Sequence, residues 1–149
     1  MKQLKSYRSV KLTLVRESSP PYPPKVECGV DVAKFVKGLV DDDPRECFIA
    51  IYLDAKHRII AAHLASIGSI ETAPFDPRVV FGPALTLMAT SMVIAHNHPS
   101  GECKPSAEDV LVTERLRKCS DLLGLRLLDH VVIGTDSFYS FADESTHRF

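Results

Sequence analysis

Short apolar runs along the chain predict several strands. Polar and apolar residues alternate over 9–15, which is typical of a half-buried strand. The apolar runs 46–54 and 58–68 are separated by three residues, which predicts an antiparallel hairpin. Three more apolar runs predict further strands at 91–95, 125–134 and 137–141.

Three other segments have apolar residues at helical spacing and predict helices at 29–40, 77–90 and 106–124. Gly82 and Pro83 inside the second segment predict a late start or a kink. Gly124 predicts the C-terminal end of the third. The expected buried faces are Val32, Phe35, Val36 and Leu39 in the first, Val80, Ala84, Leu87 and Met88 in the second, and Val110, Leu111, Leu116 and Leu123 in the third.

The order of these elements predicts one α/β domain, in which helices pack on a mixed, largely antiparallel sheet. Residues 17–25 hold four prolines, which oppose both helix and sheet pairing and predict an extended connector. We therefore expect residues 1–28 to form an N-terminal strand and connector of the same domain, with the main body at 29–149.

Composition narrows the class of protein. The chain has 149 residues, of which 45% are apolar and 25% are charged. Its net charge is −1, so there is no excess of basic residues that would indicate binding to nucleic acid. No apolar segment reaches the roughly eighteen residues of a membrane span, and the N-terminus does not resemble a signal peptide. The four cysteines show no CxxC spacing, which favours reduced thiols and a cytoplasmic protein.

The segment "HNHPSGECKPSAED" (96–109) carries the candidate chemistry. His96 and His98 end an apolar strand two residues apart, so both imidazoles should point to the same face. Asp109 falls in the first turn of the helix that follows. Two imidazoles and one carboxylate would leave the fourth position of a tetrahedral zinc ion for water, which is the composition of a catalytic zinc site.

Ser106 and Asp109 also have an explanation that needs no metal. "SAED" is a capping box, in which Ser106 would be the N-cap and Asp109 the residue that reaches back. Two histidines in HxH spacing are a weak indication by themselves. The capping box does not explain why two histidines project from an apolar strand, so the residues favour a metal site while leaving both explanations open.

The same segment resembles the JAMM motif of the JAB/MPN superfamily of zinc metalloproteases. With "LLDHVVIG" (127–134) and "YSF" (139–141), it is similar to the RadC group of bacterial proteins, over about 29–141. The resemblance implies a JAB/MPN-like (cytidine-deaminase-like) fold and zinc bound by His96, His98 and Asp109. It also implies that Ser106 stabilises the oxyanion and that Glu46 is the base that contacts the zinc-bound water.

The resemblance implies a zinc-dependent hydrolase that cleaves peptide or isopeptide bonds of an unknown protein substrate. The alternatives are a DNA-repair-associated accessory protein without hydrolytic activity and a metal-free scaffold. The basic cluster 115–118 is the feature that could favour nucleic acid, and the oligomeric state stays open. Cys103 in the motif loop is expected to be a tolerated thiol, and the sequence assigns no chemistry to Asp129 or His130.

Overall fold

A computed structural model describes residues 25–40, 43–68 and 76–149. The strand predicted at 9–15 and most of the proline-rich connector lie outside these residues, so the assignment of 1–28 to the same domain stays a prediction. The described elements are α1 (Gly29–Val40), β1 (Cys47–Leu53), β2 (Ile59–Ile67), α2 (Pro77–Thr86), β3 (Ser91–Asn97), α3 (Ala107–Leu123), β4 (Arg126–Ile133), β5 (Ser137–Ser140) and β6 (Ser145–Arg148).

The strands form one six-stranded sheet in the order β2-β1-β3-β4-β5-β6. Neighbouring strands are antiparallel except β3 and β4, which run parallel and are connected through α3. The predicted α/β domain with a largely antiparallel sheet is therefore confirmed. Strand β6 was not predicted, because its sequence "STHR" lacks an apolar alternation.

The two faces of the sheet bury separate apolar clusters. Alternate residues of β1 illustrate this: Ile49 and Ile51 pack with α1, whereas Phe48 and Tyr52 pack with α2 and α3 on the opposite face. Strands β1 and β3 are buried along their whole length because helices cover both of their faces. Within the described segments, no helix is long and apolar enough to cross a membrane.

The buried face of α3 differs from the predicted one. Val110, Leu111 and Leu123 are exposed, and of the predicted apolar set Leu116 alone is buried. The residues that face the sheet are Asp109, Thr113, Leu116 and Ser120, at helical spacing. The prediction failed because the inward face carries polar side chains, whose hydrogen bonds allow their burial.

Smaller corrections apply to the other two helices. In α1, Ala33 is buried where Leu39 was expected, and Leu39 is 54% exposed. Helix α2 does not start late, because the Asp76 carboxylate caps it by accepting from the backbone N–H of Arg78. Val80 and Ala84 of α2 are buried as predicted. The helix ends before the predicted Leu87 and Met88, the second of which is 83% exposed.

Candidate metal centre

The candidate centre lies where β3 ends and α3 begins. The chain turns sharply after His98, and the N–H of Gly101 donates to the carbonyl of His98 at 2.9 Å. Gly101 has φ +85°, and a Cβ there would lie 2.5 Å from Oγ1 of Thr135. Only glycine therefore fits this turn against the loop after β4, and the turn returns the chain to the same end of the sheet.

Four side chains of the described residues converge at this point. Glu46, His96, His98 and Asp109 each offer a ligand atom, and these atoms lie within 4.8 Å of one another. The Nε2 atoms of the two imidazoles are 3.0 Å apart. Asp109 places Oδ1 at 3.1 Å from Nε2 of His96 and Oδ2 at 3.4 Å from Nε2 of His98.

These separations fit one tetrahedral metal ion. Bonds of about 2.0–2.2 Å to zinc place the ligand atoms of a tetrahedral site roughly 3.3–3.6 Å apart. The separations of 3.0, 3.1 and 3.4 Å lie within or just below that range, and the last two are measured to different oxygens of the Asp109 carboxylate. His96 and Asp109 are almost fully buried and His98 is 17% exposed, so the centre is enclosed on the protein side and open beside His98.

The protonation pattern around His98 also fits a bound cation. Its Nδ1 is 2.8 Å from the backbone carbonyl of Glu102, which can only accept, so Nδ1 carries the proton and Nε2 presents a lone pair. That lone pair faces the Asp109 carboxylate and needs a positive charge between them. A proton can also take this position, because contact with the Asp109 carboxylate raises the pKa of His98 against the opposing effect of burial.

Asp109 belongs both to the capping box of α3 and to the cluster of four possible ligands. Its Oδ2 accepts from the backbone N–H of Ser106 at 2.7 Å, and Oγ of Ser106 accepts from the N–H of Asp109 at 3.1 Å. Burial by itself would raise the pKa of this carboxyl, but its contacts with the imidazoles of His96 and His98 lower it well below its usual range. The two explanations of "SAED" are therefore compatible, and the cap fixes the direction of the carboxylate.

Glu46 is held in place by the residue between the two histidines. The Asn97 carboxamide donates to the carbonyl of Arg45 at 3.0 Å and accepts from the N–H of Cys47 at 2.7 Å. The Asn97 carboxamide therefore takes the place of one more hydrogen-bonded peptide group between β1 and β3. Both neighbours of Glu46 are thereby fixed relative to His96 and His98.

A second layer of residues lies behind His96 and was missed from the sequence. Nδ1 of His96 is 2.8 Å from Nε2 of His130, whose Nδ1 contacts Oγ1 of Thr113 at 2.5 Å. Burial lowers the pKa of His130 well below its usual value, which keeps this ring neutral. The sequence feature that could have indicated this role of His130 is a histidine inside the apolar run 125–134. Cys103, in contrast, lies outside the four-residue cluster and contacts Ser137.

The fold and this cluster define an α/β domain with a candidate centre for one metal ion. The chain belongs to the RadC-like JAB domain family, whose family model matches residues 26–146. This result confirms the resemblance to the RadC group of the JAB/MPN superfamily.

Similar proteins occur in both bacteria and archaea. The UPF0758 protein of Chlorobaculum parvum is 36% identical over 121 residues, which cover 81% of this chain and 54% of that protein. A UPF0758 protein of Streptococcus thermophilus is 42% identical over 105 residues, covering 70% and 46%. That of Methanosarcina mazei is 39% identical over 120 residues, covering 80% and 52%. The chain thus spans about half the length of these curated relatives.

Proposed function

We propose that this domain is a zinc-dependent hydrolase that cleaves peptide or isopeptide bonds. The observation that carries the proposal is the convergence of two imidazoles and two carboxylates within 4.8 Å, in a family whose superfamily includes metalloproteases. A second carboxylate beside a complete set of three ligands is what hydrolysis requires in addition to metal binding.

His96, His98 and Asp109 would hold the ion, and their nitrogen and oxygen donors suit zinc. When bound, zinc would lower the pKa of a water molecule to about 7 and polarise a carbonyl group. With three protein ligands, the site keeps an open position on its exposed side, next to His98. The ligand set therefore favours a catalytic site over a structural one.

Glu46 is proposed as the general base. Its carboxylate belongs to the cluster, and it is partly exposed at the start of β1, whereas Asp109 is buried. Glu46 would take a proton from the attacking water and deliver it to the amine nitrogen when the amide bond breaks. Its carboxylate would thus return to the ionised state at the end of the cycle.

Ser106 is proposed as the donor to the developing oxyanion. Accepting from the N–H of Asp109 uses a lone pair of Oγ, so the O–H proton of Ser106 can be donated to a substrate carbonyl oxygen. The capping interaction holds the hydroxyl in position before the substrate binds, which is the condition for effective oxyanion stabilisation.

The cleft beside the centre favours a chain-like substrate. A half-open cavity of about 200 Å³ is lined by residues that include Asn97, His98, Pro99 and Thr135. Pockets for small molecules usually measure about 300–1,000 Å³ and enclose most of the ligand. The cavity lies below that range, which is consistent with a substrate that extends beyond it. We also propose a cytoplasmic setting, which the four unpaired cysteines support.

The test combines metal analysis with a substrate screen. Zinc-loaded wild type, Glu46→Gln and Glu108→Gln are incubated with a peptide library and with lysine-linked isopeptides, and cleavage is detected by mass spectrometry. Loss of the base should lower the rate by about 10²–10⁴-fold while one zinc stays bound. Glu108, which is exposed on the first turn of α3, is the matched control and should keep full activity.

Two results would contradict the proposal. One is zinc-loaded wild type that cleaves none of these substrates. The other is a Glu46→Gln variant that cleaves as fast as wild type, since the proposed base would then have no part in the reaction.

A further inference from the structure

A buried hydrogen-bond chain runs from His96 back to the residue that supplies the carboxylate. It consists of His96, His130, Thr113 and Asp109. His130 is fully buried, with Nε2 at 2.8 Å from Nδ1 of His96 and Nδ1 at 2.5 Å from Oγ1 of Thr113. The Thr113 hydroxyl also lies 2.6 Å from the backbone carbonyl of Asp109.

The direction of this chain is set at the end formed by Asp109. A carbonyl oxygen can only accept, so the single hydroxyl proton of Thr113 points to the carbonyl of Asp109. Oγ1 of Thr113 must then accept from His130, which places the proton of His130 on Nδ1. Nε2 of His130 is left as an acceptor, and the proton of His96 is therefore on Nδ1.

The opposite direction would be incompatible with metal binding. If Thr113 donated to His130, two oxygen atoms would face each other at 2.6 Å with no proton between them. Nε2 of His130 would then donate to His96, and the proton of His96 would lie on Nε2. That proton would point into the cluster at the position that a metal needs.

We propose that His130 and Thr113 are positioning residues that fix His96 in the tautomer whose Nε2 lone pair points at the metal. The proposal rests on the metal-binding part of the proposed function and is independent of hydrolysis. The carbonyl of Glu102 fixes the tautomer of His98 in the same way, by accepting the proton on its Nδ1. Groups that orient a ligand histidine in this way typically contribute about 10–100-fold to metal affinity.

Ring packing supports a positioning role for His130. Its ring stacks on Phe141 at 4.8 Å with an angle of 9° and meets the edge of Phe48 at 5.6 Å. Its backbone N–H donates to the carboxylate of Asp129 at 2.7 Å. The ring is therefore packed against two aromatic side chains while its two nitrogens contact His96 and Thr113.

The test uses Thr113→Val, which keeps the β-branched shape and removes the hydroxyl, and Thr113→Ser, which restores the hydroxyl. His130→Phe and His130→Gln form a second pair, in which glutamine can still accept from His96. Zinc affinity is measured by competition with a chelating dye. Unfolding by urea in the presence of chelator separates loss of folding from loss of affinity.

Nitrogen-15 NMR of the histidine rings gives a readout that needs no metal. At mildly alkaline pH, where histidines are neutral, metal-free wild type and Thr113→Ser should both carry the proton of His96 on Nδ1. Thr113→Val should populate the other tautomer and bind zinc about 10–100-fold more weakly. His130→Phe should be weakened in the same way, and His130→Gln should recover part of the affinity.

The inference is overturned if the proton of His96 lies on Nε2 in metal-free wild type. It is also overturned if Thr113→Val binds zinc as tightly as wild type does. If wild type binds no zinc, the proposed function fails, while the NMR measurement still decides between the two tautomers.

Discussion

Replacing Asp109 by asparagine separates the proposed metal-binding role of this residue from its structural role. Asp109 is 1% exposed, faces both histidines at 3.1 and 3.4 Å, and accepts from the N–H of Ser106 at 2.7 Å. Asparagine has the same shape, and its side-chain carbonyl can still complete the capping box. The negative charge is lost, so the change should weaken zinc binding with little effect on the helix start.

The expected magnitude follows from linkage between binding and folding. Zinc at 100 times its dissociation constant would stabilise the folded state by about 2.7 kcal/mol. At about 2–4 °C per kcal/mol for a chain of this size, the melting temperature would rise by roughly 5–11 °C. If loss of the ligand raises the dissociation constant about 100-fold, the same zinc concentration would contribute only about 0.4 kcal/mol, or roughly 1 °C.

Thermal melts with zinc and with chelator, together with metal analysis, measure this difference. Wild type and Glu46→Gln should both show the full rise, since Glu46 is proposed to act on water without binding the metal. Asp121→Asn is the matched control, because it is the same substitution at an exposed position of α3. An undiminished rise in Asp109→Asn, or a rise that disappears in Glu46→Gln, would refute the assignment of ligands and base.

Three further predictions concern pH, strand pairing and nucleic acid. Zinc content after dialysis at a series of pH values should begin to fall above about pH 6.5 as the pH is lowered, because protons compete for His98, whose pKa is raised above its ordinary value in the metal-free protein. Asn97→Ala removes the partner of two backbone groups, so it should lower the free energy of unfolding in urea by about 1–3 kcal/mol. The variant should still bind zinc, but any hydrolysis should be slower. DNA binding by the described domain should be weak and steeply salt-dependent in titrations, and nanomolar binding in physiological salt would instead favour the accessory role in DNA repair.

Local patterns were sufficient to predict much of the fold and the candidate ligands. The period-two alternation of a strand predicts that His96 and His98 share a face, and the structure places their Nε2 atoms 3.0 Å apart. Residues close together in the sequence also determine the β1–β2 hairpin and the end of α3 at Gly124. Both features could therefore be predicted from local patterns. Glu46, some fifty residues before the histidines, came from the resemblance and not from spacing.

The residues that were missed depend on contacts between distant parts of the chain. Thr113 looked like a polar position on α3, and the apolar pattern therefore assigned the wrong face to this helix. His130 lies 34 residues after His96, and its partner becomes evident only when β3 and β4 pair in parallel. Hydrophobic periodicity cannot detect a buried polar face, because burial there depends on hydrogen bonds that form only in the folded chain.

Asn97 shows how a single strand end can organise both parts of the proposed site. Strand alternation directs the two neighbouring histidines to the cluster, while the carboxamide of Asn97 extends the ladder to β1 by one peptide equivalent. An aspartate here could still accept from Cys47 but would oppose the carbonyl of Arg45, and a valine could do neither. The identity of this residue therefore couples the position of Glu46 to that of the two histidines, so that one short stretch of strand positions the proposed base relative to two of the three proposed ligands.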